Sequence, residues 1–504
     1  MTLAVSGATE AKRTYLDHRF EAGTDRVTQS FVTTQTAPYK PQDLHYSYDD
    51  AGNVTRIADS PNPDPTLKPD VQCFTYDGHR RLQEAWTPST DDCTSRTLGG
   101  AAPYRTEYTY NASGQRASET ETPVSGAATT TNYCYVVPSQ RHTLTATTKN
   151  ADCTGVPASF SYDKTGNTTK RPGPTGPGQT LAWNVEGKIS SLTEGTKKTT
   201  YLYDAEGTLL IRRAAGDGES VLYLGATEVH HKVTGTTKTT WATRTYSAGS
   251  SAIALRTNES GTSKLSFLAG DHHGTSSLAV DATTQAVTKR FTTPFGAPRT
   301  GAVGTWPDDK QFLGKPADKS TGLTHIGARE YDPKIGQFIS VDPMLTLDQH
   351  QSLNGYSYAN NTPVTSSDPT GLESCYPNFC SGSNGTYDDY KPENDPAAGS
   401  NTGAAAQHRP RAPVRPRAPR SPSSTASSCR PRKKCVPCLT HGRVTLTGSL
   451  PRSSSRASAS VVEAGKGVRR SSVMPRMRPD CSRSERIPGA SRPISTASRA
   501  RATA

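Results

Sequence analysis

The chain is organised around residues 321–344, TGLTHIGAREYDPKIGQFISVDPM, and residues 354–372, NGYSYANNTPVTSSDPTGL. Together they hold three Asp-Pro pairs, at Asp332, Asp342 and Asp368, with short aromatic runs between them. Proline lacks a backbone donor and pushes the residue before it into an extended conformation. Each pair therefore predicts a strand end or a turn.

Upstream of this stretch one pattern recurs: an aromatic residue, Asp or Asn, two variable residues, Gly, a polar residue and a second alternating run. Asp or Asn opens a type I turn by bonding its own backbone, and Gly supplies the positive φ that closes it. Each copy therefore predicts a β-hairpin. One copy, CFTYDGHRRLQEA, reads as one residue shorter, with its Gly out of place. The copies are HYSYDDAGNVTRI (45–57), CFTYDGHRRLQEA (73–85), EYTYNASGQRASE (107–119), FSYDKTGNTTKRP (160–172), LAWNVEGKISSLT (181–193) and YLYDAEGTLLIRR (201–213).

Composition agrees with an all-β fold. The 504 residues are 32% hydrophobic and include 42 Gly and 37 Pro, which is typical of turn-rich β-structure with some disorder. A single hairpin is marginal in water, so the repeats must stack into a continuous sheet. Separate small sandwiches are the alternative, but the pattern recurs too regularly and lacks a Cys–Trp–Cys arrangement.

The net charge of +13 is unevenly distributed. Residues 405–504 carry 19 Arg and 3 Lys against 3 acidic residues, whereas the rest of the chain is mildly acidic. This tail has no Phe, Trp or Tyr and cannot bury a core, so it is predicted to be disordered. Three interpretations compete: a nucleic-acid-binding arm, a zinc site, or a frame-shifted reading of GC-rich DNA. The abrupt change in the Arg:Lys ratio and the loss of aromatic residues favour the third. The zinc ligands would be Cys429, Cys435, Cys438 and His441.

Several function classes are disfavoured by what the sequence lacks. No window approaches 18 apolar residues, so no membrane span is predicted. No apolar leader is visible, and the first residues resemble the middle of a repeat, as if the chain began inside a longer parent. The P-loop, HExxH and GxSxG motifs are missing, and we predict no cofactor and no metal.

Cysteine spacing predicts two local disulfides. Cys73 and Cys93 lie 20 residues apart, Cys134 and Cys153 lie 19 apart, and each pair brackets a polar, turn-rich excursion. Such loops are typical of exported proteins. The alternative is four unpaired thiols.

Histidines offer weaker candidates. His272-His273 is expected to form a turn, His230-His231 a solvated strand end, and His325 a packed structural site rather than a proton donor.

The repeats resemble the tyrosine-aspartate (YD) repeats of the Rhs family. Residues 271–372 resemble its repeat-associated core through DHHGTSSLAVD, PFGAPR, FLGK, the 321–344 stretch and the closing DPTGL. The match runs from Tyr46 to Leu372, although Gln337 stands where Arg is usual. The resemblance implies stacked hairpins forming a spiralling sheet or partial shell, capped by the core. Members include polymorphic toxins, the cocoon-forming subunit of Tc complexes and wall-associated proteins.

The resemblance also implies aspartyl-type self-cleavage just after the DPxGL motif. In this chain the motif is PVTSSDPTGL, with Pro363, Pro369 and Gly371, and the scissile bond joins Leu372 to Glu373. Paired carboxylates can divide into acid and base because one charge raises the pKa of the other. The resemblance assigns this role to Asp342 and Asp368, oriented by Arg329. The alternative interpretation is that all three Asp-Pro pairs only form turns and that Arg329 is an ordinary surface ion.

We therefore expect a toxin scaffold that encapsulates and releases a C-terminal cargo, secreted or held at the cell surface. Its partners would be that cargo, an immunity protein and secretion machinery. The alternatives are a non-catalytic carbohydrate-binding or structural repeat protein and a basic-tailed nucleic-acid binder. The expected segments are a repeat fragment (1–44), the YD repeats (45–245), the core (246–372), a linker (373–404) and the tail (405–504).

Overall fold

The computed structural model describes residues 1–4, 12–61, 67–249, 251–344 and 350–375, all within one compact unit. Within these ranges the chain forms antiparallel β-strands and short 3-10 helices, and it contains no α-helix. No helix in this part of the chain is long and apolar enough to cross a membrane. The all-β class is confirmed. The predicted tail, and all but the first residues of the linker, lie outside the described residues.

Sheet 1 is an eleven-stranded antiparallel meander in the described part of the chain, with each strand paired to its sequence neighbours. Its order is linear, so the sheet is open. Its strands are β1 (Thr2–Leu3), β2 (Thr14–Phe20), β3 (Val27–Thr34), β4 (Gln42–Tyr48), β5 (Val54–Asp59), β6 (Asp70–Tyr76), β7 (Leu82–Trp86), β8 (Arg105–Tyr110), β9 (Arg116–Thr122), β10 (Thr129–Cys134) and β11 (Ala146–Thr148).

Sheet 2 repeats this arrangement with thirteen strands among the described residues. Strand β20 runs through residues 245 and 246, where the sequence placed the start of the core. The strands are β12 (Ser161–Tyr162), β13 (Thr168–Pro172), β14 (Gly178–Trp183), β15 (Ile189–Glu194), β16 (Lys197–Tyr203), β17 (Leu209–Ala214), β18 (Gly218–Leu224), β19 (Thr227–Thr234), β20 (Thr237–Ala248), β21 (Ser251–Thr257), β22 (Lys264–Gly270), β23 (Ser276–Asp281) and β24 (Val287–Lys289).

Among the residues that the structure describes, a third, smaller sheet of four strands contains most of the stretch 321–344. Its strands are β25 (Ala317–Asp318), β26 (Leu323–Ile326), β27 (Arg329–Asp332) and β28 (Gln337–Phe338). We call residues 317–344 and 350–375 the core segment. Short 3-10 helices lie at Pro138–Gln140, Phe312–Gly314, His350–Leu353 and Ala359–Asn361.

The repeat turns form as the sequence predicts. In the 45–57 copy the Asp49 carboxylate accepts a bond from the Asn53 N–H at 2.8 Å, and Gly52 adopts φ +83°. In four copies the repeat tyrosine then ties its hairpin to the chain before it. Tyrosine hydroxyls donate to carbonyls of the preceding hairpin: Tyr48 to Val27 (2.8 Å), Tyr76 to Val54 (2.7 Å), Tyr110 to Leu82 (2.7 Å) and Tyr162 to Leu144 (2.9 Å).

Two details of the repeats differ from expectation. The 73–85 copy is not shorter: Tyr76 pairs with Leu82 as Tyr48 pairs with Val54. Arg80 occupies the glycine position with φ +63°, a conformation that costs a non-glycine residue about 1–2 kcal/mol. In addition, the His-His-Gly turn after Asp271 is a further copy of the repeat turn. Gly270 stands where the other copies have an aromatic residue, so the repeat pattern is not recognisable there in the sequence.

The core segment packs against both sheets. Tyr331, Phe338 and Tyr358 belong to a buried cluster with side chains of sheet 1, whereas Leu323 and Ile339 pack on sheet 2. Polar contacts reach the repeat turns: the Asn361 amide donates to the Gly114 carbonyl (3.0 Å), the Tyr356 hydroxyl to the Gly166 carbonyl (2.6 Å), and Lys188 to the Ala328 carbonyl (3.1 Å). Several consecutive repeats therefore position the core segment.

One buried cation joins sheet 1 to the core segment. Arg116 on β9 is 2% exposed, and its Nη1 donates to the Ile335 carbonyl at 3.0 Å and to Glu119 at 3.1 Å. Its guanidinium lies 4.1 Å from the Phe295 ring centroid and 4.8 Å from that of Tyr108.

Both predicted cysteine pairs are disulfide-bonded. Cys73 joins Cys93 and Cys134 joins Cys153, each with Cα atoms 5.6 Å apart. The first bridge joins β6 to the loop between β7 and β8. The second joins the end of β10 to the chain that follows β11.

Candidate functional site

Arg329 brings together two carboxylates that are distant in sequence. It lies on β27, is 4% exposed, and its Nη2 donates to Asp342 Oδ2 at 2.7 Å and to Asp368 Oδ2 at 3.2 Å. Both carboxylates thus share one guanidinium nitrogen. The three residues assigned to one site do form a single cluster, in which Arg329 and Asp368 are buried and Asp342 is partly exposed.

The rest of the Arg329 guanidinium holds the surrounding backbone. Its Nη1 donates to the Gly355 carbonyl at 2.9 Å and its Nε donates to the Gly371 carbonyl. The guanidinium lies 3.6 Å from the Phe338 ring centroid. The side chain is therefore held along its edges by hydrogen bonds and on one face by an aromatic ring, as an orienting group should be.

Asp368 lies directly against the predicted scissile bond. Its Oδ1 accepts from the Leu372 N–H at 3.1 Å and from the Glu373 N–H at 3.3 Å. The backbone N–H of Asp368 itself donates to the buried Tyr358 hydroxyl at 3.3 Å. Leu372 is half-buried and Glu373 exposed, so water reaches the bond from one side.

Glycine is required in the DPTGL turn by close approach. Gly371 adopts φ +72°, and a Cβ there would collide with the Ile326 carbonyl oxygen and lie 3.1 Å from the Arg329 nitrogen. In the same contact the Ala328 N–H donates to the Thr370 carbonyl at 2.8 Å. The β26–β27 turn and the DPTGL turn thus touch backbone to backbone. Pro363 is buried in the preceding turn, and Pro369 is half-buried between Asp368 and Thr370.

The electrostatics favour a proton on the carboxylate pair. Burial raises the pKa of Asp342 to about 6, with Asp368 adding to the rise and Arg329 opposing it. Burial also raises the pKa of Asp368, against the opposing effects of Arg329 and the backbone N–H groups at 371–373. The pKa of Asp342 therefore lies close to neutral pH.

The third Asp-Pro pair lies outside this cluster. Asp332 is buried and paired with Arg171, and its Oδ1 accepts from the Lys334 N–H at 2.9 Å. It is a structural ion pair that anchors β27 to sheet 2. His325 contacts Glu330 at 2.7 Å across the β26–β27 hairpin. Gln337, at the position where Arg is usual, donates to the Tyr135 hydroxyl at 3.0 Å.

A pair of histidines supports the loop before Asp368, which the sequence analysis did not foresee. The Nε2 atoms of His272 and His273 lie 2.7 and 2.8 Å from the Val364 carbonyl oxygen. Burial lowers the pKa of both rings, so neutral Nε2–H tautomers can donate to this oxygen. The expected turn is present, and it holds the segment that leads to the DPTGL motif.

The expectation that His230 sits at a solvated strand end is wrong. His230 is 4% exposed, stacks on Trp241 with ring centroids 5.0 Å apart, and contacts Glu219 at 2.7 Å. His231, the next residue, faces outward and contacts Thr240 at 2.9 Å. Successive side chains of a strand point to opposite faces, so one of His230 and His231 must be buried. The polar neighbours on β19 do not indicate which of the two histidines it is.

Comparison with known proteins places the chain in a family. The family model described as Teneurin YD-shell matches residues 74–364, which is more than half of the chain. A tRNA3(Ser)-specific nuclease WapA from Bacillus spizizenii is 31% identical over 283 residues, covering 53% of this chain and 11% of that protein. Toxin subunit YenC1 from Yersinia entomophaga is 26% identical over 373 residues, covering 66% of this chain and 37% of that protein.

Solved structures agree on the fold. The crystal structure of TcdB2-TccC3-Cdc42 matches with a TM-score of 0.60 at 23% identity, covering 72% of this chain and 18% of that chain. The crystal structure of TcdB2-TccC3 alone matches at the same TM-score and identity. The chain thus spans about a tenth of the WapA nuclease and little more than a third of YenC1.

Proposed function

Because the chain belongs to the YD-shell family, we propose that it is the scaffold of a polymorphic toxin. The scaffold holds a C-terminal cargo and releases it by cutting its own backbone between Leu372 and Glu373. The YD repeats (45–245) and the core (246–372) form the scaffold, residues 373–404 the linker, and residues 405–504 occupy the cargo position. The protein acts outside the producing cell or at its surface, with an immunity protein and a secretion system as partners.

The observation that carries the proposal is the position of the Asp368 carboxylate. It shares the Arg329 Nη2 with Asp342 and lies 3.3 Å from the Glu373 nitrogen, which is the leaving atom of the predicted cleavage. A buried and a partly buried carboxylate around one cation, beside a half-exposed peptide bond, match the paired-carboxylate arrangement that can activate water. A pair of turn-forming aspartates would not need to meet.

The reaction needs one water and no cofactor. One carboxylate of the singly protonated pair takes a proton as the water oxygen bonds to the Leu372 carbonyl carbon. The C–N bond to Glu373 then breaks as a proton passes to its nitrogen, and the Asp368 carboxyl is the group beside that atom. The products are a Leu372 carboxylate and a Glu373 amine. The hydrogen bond from Arg329 Nε to the Gly371 carbonyl keeps the Leu372–Glu373 peptide bond beside the two carboxylates.

The proposal is tested by the identity of the fragment. Purified full-length chain is denatured and the new N-terminus is sequenced. We expect Glu373 as the first residue of a fragment containing the last 132 residues. Asp50→Asn, at an exposed turn position, serves as a matched control that is cut normally. A fragment starting elsewhere would reject this site.

Mixing distinguishes self-cleavage from a contaminating protease. Wild-type chain is incubated with a tagged Asp368→Asn chain, and the tagged chain is expected to stay intact, because the pair reaches only its own turn. Cleavage of the tagged chain would contradict the intramolecular reaction. A wild-type chain that is never cut would instead indicate a non-catalytic repeat protein.

A further inference from the structure

A second, largely buried cluster of charges lies between sheet 2 and residues 309–318, where the chain enters the core segment. Its carboxylates are Glu219 on β18, Glu228 on β19, and Asp309 and Asp318 beyond sheet 2. Two permanent cations face them: Arg212 Nη1 lies 2.8 Å from Asp318 Oδ1, and Lys310 pairs with Glu228 Oε1. With His230 neutral, as a metal ligand must be, and all four carboxylates ionised, this cluster would carry two excess negative charges.

Several polar atoms in this cluster are buried without a hydrogen-bond partner among the described residues. Four of them lie on neighbouring side chains: His230 Nε2, Glu228 Oε2 and both carboxylate oxygens of Asp309. Arg212 Nε and Asp318 Oδ2 are two more. The His230 and Glu228 side chains are only 5% and 3% exposed. Arg212 Nη2 lies 3.8 Å from Asp309 Oδ2, beyond hydrogen-bond range. Buried polar atoms are almost always hydrogen-bonded, so four such atoms on three neighbouring side chains call for a ligand.

The spacing of these atoms suits a metal ion better than a hydrogen bond. His230 Nε2 and Glu228 Oε2 are 3.6 Å apart, too far for a good hydrogen bond. Two ligands of a tetrahedral zinc ion, at about 2.0–2.2 Å from the metal, lie about 3.4 Å apart. Glu219, His230 and Asp309 also each offer a ligand atom within 4.8 Å of the others.

We propose that this cluster binds one divalent transition-metal ion, with zinc as the fitting example. The ligands are His230 Nε2, Glu228 Oε2 and the Asp309 carboxylate, and a water takes the fourth position. Glu219 accepts the Nδ1–H of His230 at 2.7 Å, the carboxylate–histidine contact that orients metal-binding imidazoles. A divalent ion would neutralise the two excess charges. Because Asp309 lies outside sheet 2, the ion would tie strand β19 to the residues just before the core segment.

The test counts zinc in the full-length chain. Chain stripped with a chelator is titrated with zinc sulfate by isothermal titration calorimetry, beside His230→Gln, Glu228→Gln and Asp309→Asn. Each variant is expected to bind one zinc fewer per chain than the wild type, whatever the cysteines elsewhere bind. His231→Gln removes the neighbouring outward histidine and should bind as the wild type does. Glu219→Gln is expected to weaken this zinc about 10–100-fold while keeping the stoichiometry.

Equal zinc stoichiometry in wild type, Glu228→Gln and Asp309→Asn would overturn the proposal. Circular dichroism of each metal-free variant identifies any that fails to fold, and the remaining ligand variants then decide. Cobalt provides an independent readout. The wild-type chain should gain visible absorption bands of four-coordinate cobalt that His231→Gln keeps and Asp309→Asn loses, and identical spectra for all three would contradict the site.

Discussion

Replacing Arg116 by Met tests whether the core segment is held to the repeats by a buried cation. The side chain is 2% exposed, donates to the Ile335 carbonyl and pairs with Glu119, and stacks near the rings of Phe295 and Tyr108. Met keeps much of the volume and loses the charge. The polar contacts to the core segment are lost with it.

The magnitude follows from what is left behind. Removing one partner of a buried ion pair costs about 3–5 kcal/mol. Glu119 is 16% exposed and keeps a bond from the Tyr133 hydroxyl at 2.7 Å, which limits the cost of its uncompensated charge. Arg116 also leaves its own Nε and Nη2 without acceptors among the described residues, so the native gain is reduced. We therefore expect about 3 kcal/mol, at the lower end of the range.

Urea unfolding followed by tyrosine and tryptophan fluorescence measures this cost. The midpoint should fall without a change in slope, because the surface exposed on unfolding stays the same. Arg213→Met, at an exposed position on β17, is the control and should shift stability by less than about 0.5 kcal/mol. A loss below about 1 kcal/mol for Arg116→Met, within the range of a surface ion pair, would refute the reasoning.

Further predictions concern the cleavage turn and the scaffold. The self-cleavage rate is expected to fall as the pH rises through about 6, because the pKa of Asp342 is raised to about 6 and the pair must keep one proton; a rate that rises from pH 5 to 8 would contradict this. Gly371→Ala should abolish cleavage, since its Cβ meets the Ile326 carbonyl, whereas Gly52→Ala should cost only about 1 kcal/mol of stability and leave cleavage intact. The double variant Cys73→Ala/Cys93→Ala should lose about 3 kcal/mol in urea unfolding, the cost expected for a loop of this length, and an unchanged midpoint would show that the bridge is dispensable.

Local features of this fold could be predicted because they depend on neighbouring residues. An Asp at the first turn position and a Gly at the fourth favour the turn through local contacts, so the turn at Asp49 follows from a few residues. Arg80 is an exception to that rule. The hydrogen bonds between β6 and β7 keep the usual register, so Arg80 adopts a positive φ although it is not a glycine. The Asp271 turn was missed as a repeat for a related reason, because pairing along β22 and β23 compensates for its missing aromatic.

Contacts between distant segments could not be predicted in the same way. Sequence analysis and the family resemblance named Asp342, Asp368 and Arg329 as a group, but not that one nitrogen of Arg329 serves both carboxylates. His272 meets Val364 across 92 residues, and no periodicity connects them. The inward orientation of His230 depends on strand parity, where a shift of one residue exchanges the buried and exposed faces.

The central claim, that Asp342 and Asp368 cut the chain after Leu372, is tested most directly by intact mass. Freshly purified full-length wild type, Asp342→Asn and Asp368→Asn are measured under denaturing conditions. The account predicts two masses for the wild type, corresponding to residues 1–372 and 373–504, and a single full-length mass for each variant. A wild type that stays whole, or a variant that is cut as the wild type is, would contradict it.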